Sequence, residues 1–111
     1  MSEMALLMED MYKELKEIRP EVISGNEIGQ FPEKFNQIHS AEMTSSFERT
    51  VEFEQFTELL LHNFNQLYKA KSDSSRIEIY DNTVKTCVSC HKSDAGCMGP
   101  VPRIEKLLIQ K

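Results

Sequence analysis

Residues 86–92 read TCVSCHK, two cysteines and a histidine in one short stretch, with nineteen residues after Lys92 in a chain of 111. On a helix these side chains share one face, whereas beside a strand they would belong to a different fold. The neighbouring residues decide between the two. Ile77, Tyr80, Val84, Cys87 and His91 recur three or four positions apart, the period of a helix. A helix advances about 100° per residue, so Cys87 and Cys90 lie about 60° apart and His91 about 40° beyond Cys87. All three therefore point toward the same side.

Three more helices are expected upstream. Phe53, Phe56, Leu60, Phe64 and Leu67 form one apolar stripe, which predicts a helix over about 51–71. Before it, Thr44 to Thr50 reads as a loop, although Ser45 and Glu48 have capping-box spacing. Ile28, Phe31, Phe35 and Ile38 repeat the helical period, and Pro32 suits a first turn, which predicts a helix from Phe31 to about Met43. The first helix covers residues 2–19 on the stripe Met4, Leu7, Met8, Met11, Leu15, Ile18 and Val22. Pro20 bends or ends it, with room for a last turn through Ile23 before Ser24, Gly25 and Asn26. Lys71 to Ser75 reads as a turn, and two glycines and two prolines within 94–102 end the fourth helix. Ile104 to Ile109 suggests one short terminal helix. Strand-like alternation is lacking. The fold expected is all-α, one domain over 1–111, an antiparallel up-down four-helix bundle with a short C-terminal extension.

Composition narrows the function. A net charge of -5 argues against a nucleic-acid footprint, which calls for clustered Lys and Arg. No apolar run approaches the roughly 20 residues of a membrane span, and ALLM at 5–8 is too short for a signal core, so a soluble chain is expected. Three cysteines cannot all pair within one chain, which makes a disulfide framework a poor explanation of them.

Cys87-Val88-Ser89-Cys90-His91 fits C-x-x-C-H, the attachment pattern of c-type haem, in which two thiols add to the vinyl groups and the histidine ligates iron. Three other readings compete. Thioredoxin-like chemistry wants its C-x-x-C at a helix N-terminus beside a βαβ unit, and no strand is expected here. Zinc could take Cys87, Cys90, His91 and Cys97, yet adjacent Cys90 and His91 are awkward ligands for one tetrahedral ion. The bland alternative is two buried free thiols and an exposed histidine. Haem is the reading of choice. A methionine ligand close behind the motif is disfavoured, because Met98 stands only seven positions past His91.

With C-x-x-C-H on the last of four helices, the chain resembles the class II cytochromes c, the cytochrome c-prime family, over residues 2–92. Its segment GCMGPVPRIEKLLI at 96–109 exceeds the plain ending of that pattern, and the second helix is short for it. The resemblance implies haem c on Cys87 and Cys90, with His91 as proximal ligand and the first helix crossing the opposite face of the haem. Within LLMEDM at 6–11, Met8 matches the family's distal position, with Met4 and Met11 one turn away; an open sixth site is the alternative. His39 and His62 are poorer candidates. The function implied is electron carrier rather than enzyme, with gas binding or sensing second and a zinc-stabilised interaction module third. A periplasmic location with a leader peptide and a homodimer paired through the first helices also follow from the resemblance, while the acidic net charge suits a redox partner with a basic face.

Of the remaining residues, Cys97 is expected as a buried small hydrophobe, a site of intermolecular bridging, or a thiol at the haem edge. Arg103 and Lys106 are candidates for pairing with haem propionates. Tyr80 and Phe64 belong to the core.

Overall fold

The computed structural model describes residues 1–72 and 74–111. It is all-helical, with four α-helices and one 3₁₀ helix and no strand among the described residues.

Helix α1 spans Glu3–Ser24. The Ser2 hydroxyl accepts the Ala5 N–H at 3.0 Å and satisfies one of the free donors of the first turn. The helix runs past the expected boundary at residue 19 and through Pro20, taking the last turn that the sequence left room for, and stops at Gly25, which adopts the left-handed conformation at φ 73°. Gly25 and Asn26 return their amides to the carbonyls of Val22 and Glu21, closing the helix with a glycine cap. Burial overrides the proline, because Ile18 before it and Val22 after it both face the core while Pro20 itself is exposed. Arg76 donates from Nη2 to the Glu21 carbonyl at 3.1 Å and so completes the last turn from a neighbouring helix.

The second expected helix, Phe31 to Met43, is instead a 3₁₀ helix confined to Glu33–His39. With three residues per turn, Phe35 and Ile38 fall on the same side, and both are fully buried. Asn36, Gln37, His39 and Ser40 around them are polar, and only the small Ala41 follows in the core, so no broad apolar stripe exists to reward an α-helix. Phe31 precedes the element and packs on Phe35, Phe64 and Tyr68, each at a ring separation of 6.0 Å.

Helix α2, Val51–Lys69, starts at Thr50, whose hydroxyl accepts the Phe53 N–H at 3.1 Å. Helix α3, Ser74–Lys92, carries the motif. Helix α4 is one short stretch, Val101–Glu105, rather than the expected 104–109. Pro102 explains the shift, since a proline in the first turn lacks only an amide that would have no partner there.

Helix α2 lies most extensively against α3, while α1 and α4 also contact α3. Tyr80, Val84, Phe64 and Leu67 are fully buried in the middle of this core, which bears out the assignment of Tyr80 and Phe64 to packing. The Tyr80 hydroxyl donates to the Leu15 carbonyl at 2.9 Å, tying α3 to α1 where its own polar group would otherwise be stranded. Among the described residues, no helix is long and apolar enough to cross a membrane.

Candidate functional site

The motif occupies the last two turns of α3. Thr86, buried just before it, donates to the Asn82 carbonyl at 2.8 Å and accepts from the Asn63 side chain at 3.0 Å, which fixes this end of α3 to α2. Cys87, Cys90 and His91 are half-buried, whereas Ser89 is exposed. The three reactive side chains therefore face inward together, as helical spacing requires.

Past Lys92 the chain turns back on the motif. The Ser93 hydroxyl donates to the Cys90 carbonyl at 2.7 Å and accepts the Ala95 N–H at 3.0 Å. Gly96 then lies so close to the helix that a Cβ there would stand 3.0 Å from both the Cys90 carbonyl oxygen and the His91 Cα. This close approach brings the Cys97 carbonyl to within 2.7 Å of His91 Nδ1. A carbonyl only accepts, so Nδ1 carries the proton and Nε2 keeps its lone pair for another partner. A metal-ligating histidine is held in this way, with its second ring nitrogen donating to a backbone carbonyl.

Gly96→Ala is expected to cost about 1–3 kcal/mol, because the obstructing atoms are backbone rather than flexible side chain. The His91 Nδ1 proton should also exchange faster with solvent, as read by NMR. Unchanged exchange and melting would show that the turn accommodates a methyl group.

Three hollows, of about 200, 50 and 20 Å³, meet around His91 and Met8, which border all of them. Cys87 borders the two smaller ones and Cys90 the smallest. The structure thus brings together Met8, Cys87, Cys90 and His91. Met4 and Met11 each border one hollow but are buried in the core, at 5% and 3% exposure. His39 and His62 are exposed on the surface, and His39 Nδ1 lies 3.4 Å from Glu54.

Burial pushes the Cys87 thiol up to about 12, with the nearby Cys90 adding to it. The Cys90 thiol is pushed up to about 11, again mainly by burial, with Glu52 and Cys97 contributing. Both thiols stay protonated at neutral pH. A redox C-x-x-C works through a depressed thiol at a helix N-terminus, and here both conditions are reversed. The Cys3His set considered for zinc is not assembled: among the described residues no group of three or more His, Cys, Asp or Glu side chains is placed to hold a metal ion.

Cys97 is exposed, which corrects the expectation of a buried hydrophobe, and its sulfur lies 3.8 Å from His91 Nδ1. Arg103 borders the two larger hollows, stacks 4.3 Å over the Tyr12 ring and pairs with Glu9. That pair holds the Glu9 carboxyl below its ordinary range. Lys106 is exposed and borders none of the hollows described here.

Two contributors were not legible as site residues. Gly96 reads in sequence only as part of a helix stop. Met43 sits in a loop with no periodicity to give it a face, yet it borders the hollow of about 200 Å³ with Met8 and His91. Comparison with family models, curated proteins and solved structures found no match.

Proposed function

We propose that this chain carries a haem attached through Cys87 and Cys90, with His91 Nε2 as proximal ligand and Met8 as sixth ligand, and that it serves as a periplasmic electron carrier. The observation that carries this reading is the His91 tether: Nδ1 is committed to the Cys97 carbonyl, which leaves Nε2 for another partner, and His91 shares one hollow with Met8 and both motif cysteines. The surroundings suit an apolar macrocycle, since Ile38, Phe53, Phe56 and Leu60 line the hollow next to the thiols, with Thr57 and Thr86 beside them. A small-molecule site usually needs about 300–1,000 Å³. The three hollows are smaller than that, so seating the group requires α1 to move away from α3 around Met8. The turns of α1 around Met8 are the place for it, because α1 contacts α3 less extensively than α2 does and its hydrogen bonds from α3 lie further along, at Leu15 and Glu21.

Haem so bound would supply a one-electron iron couple, whose potential methionine and histidine ligation raises. The chain's own residues do the rest. His91, oriented by Gly96 and Cys97, and Met8 would hold the group, and Arg103, which pairs with Glu9, would supply a cation for a propionate carboxylate. In this reading α1, the 3₁₀ helix, α2 and α3 are the four members of an antiparallel bundle of the cytochrome c-prime type, with the second reduced to 3₁₀. The acidic net charge suits a partner with a basic face, and exposed Leu6 on α1 offers an apolar contact for pairing of two copies. A second reading, binding of small gases, draws support from the hollow of about 200 Å³, whose lining by Met4, Ala5 and Phe53 is apolar.

Protein matured in a bacterial periplasm is expected to show the mass of one added haem, lost in a Cys87→Ser/Cys90→Ser variant. The ferric form should be low-spin with the weak near-infrared sulfur-to-iron band. An unmodified mass with bound zinc would reject haem, while a high-spin protein that takes up carbon monoxide would select the gas-binding reading.

A further inference from the structure

Six methionines occur in the chain, and the resemblance to a known haem fold directs attention to those on the first helix alone. The structure adds one from elsewhere. We propose that Met43 is a second thioether donor to the open side of the site, able to replace Met8. The inference rests on the haem reading above and goes beyond it in naming a donor on the loop between the 3₁₀ helix and α2.

Met43 is placed by the residues on either side of it. The Glu42 carbonyl accepts the Met4 N–H at 3.0 Å, and the Glu42 N–H donates to Glu3 Oε1 at 2.9 Å. On the other side, the Thr44 and Ser2 hydroxyls lie 2.7 Å apart. Residues 42 and 44 are thus both tied to the first turn of α1, and the loop moves with the helix that carries Met8. Arg49 reinforces the loop by donating to the Ile38 and Ala41 carbonyls.

The side chain of Met43 is half-buried and shares the hollow of about 200 Å³ with Met8 and His91. Met1 and Met4 border it too, but Met1 is 83% exposed to solvent and Met4, at 5% exposure, is packed in the core and not free to turn. Met8 and Met43 are the half-buried pair. Methionine has three rotatable bonds and adapts its reach at low cost, so two such sulfurs at one hollow compete for one acceptor. Because α1 and the loop are bonded together, any displacement of α1 that admits the haem carries both donors outward together.

The test uses haem-loaded protein labelled with ¹³C in the methionine methyl groups. An iron-bound methionine methyl in the ferrous protein resonates far upfield of the others. Met8→Ala is expected to keep one upfield methyl and the near-infrared sulfur band, and adding Met43→Leu should remove both. Carbon monoxide affinity should rise about tenfold or more from the single to the double variant, because only the double leaves the competent open state fully populated. If Met8→Ala alone abolishes the upfield methyl and binds carbon monoxide as tightly as the double variant, the inference falls and the haem reading stands. Protein recovered from the periplasm without haem overturns the haem reading, and the inference with it.

Discussion

Replacing Cys87 and Cys90 together by serine is expected to give a chain with no covalent haem and a melting temperature at least about 10 °C below the haem-loaded wild type. The reasoning starts from size. A domain of 111 residues buries a limited apolar area, and part of its interior around Met8 and His91 is hollow rather than packed. An apolar macrocycle seated there withdraws its own faces and that lining from water, at about 25 cal/mol per Å². Even about 100 Å² of such coverage is worth about 2.5 kcal/mol, and a change of 1 kcal/mol moves the midpoint of a domain near this size by roughly 4–8 °C.

The haem-free wild type supplies an internal control through its thiols. Cys87 is pushed from an ordinary value of 9.0 up to about 12 in the folded chain, so the unfolded chain releases this proton first. The stabilising contribution is whole below about pH 9 and is lost as pH rises toward 12. Haem-free wild type should therefore lose stability over this alkaline range more steeply than the serine variant. Equal melting of haem-loaded wild type and variant would mean that the apolar stripes hold the fold unaided.

Much of the fold could be read from periodicity, and its failures have separate causes. The stripes of α2 and α3 are broad and regular, and burial rewards them, so both helices stand within two or three residues of where spacing puts them. Pro20 looked like a terminus because its intrinsic cost is high, but Val22 beyond it is buried and Gly25 provides a better stop. The 3₁₀ helix was misread because Phe35 and Ile38, three apart, satisfy both helical periods. At the site, C-x-x-C-H was legible from spacing along one helix, whereas Met8 was singled out only by the resemblance to the cytochrome c-prime family. Gly96 and Met43 were not legible, since their roles arise from the chain folding back and from hydrogen bonds between residues about 40 apart.

Asp81 was equally silent in the sequence, and Asp81→Ala is expected to free the segment after α4. At 3% exposure, the Asp81 carboxylate accepts the Ile109 N–H at 2.8 Å on one oxygen and the Gln110 N–H at 2.9 Å on the other. Arg19 completes the hold from α1, donating from Nε to the Leu107 carbonyl and from Nη2 to the Leu108 carbonyl, both at 2.9 Å. Hydrogen bonds to a charged group contribute about 1.5–3 kcal/mol each, but the released amides regain water, so a net loss of about 2–4 kcal/mol is expected. Asp81→Asn separates charge from shape: its amide nitrogen would face a backbone N–H, donor against donor, and only one of the two bonds could survive. The loss should be local first. Amide exchange of residues 107–110 should accelerate in either variant, while amides in the middle of α2 keep their protection. Ile104 and Leu107 border the hollow shared by Met8, Cys87 and His91, so the freed segment would also open that hollow to water. In haem-loaded protein this exposure should lower the reduction potential, because an iron site open to water favours its more highly charged ferric state. Faster exchange at 107–110 with an unmoved potential would assign the segment to stability alone.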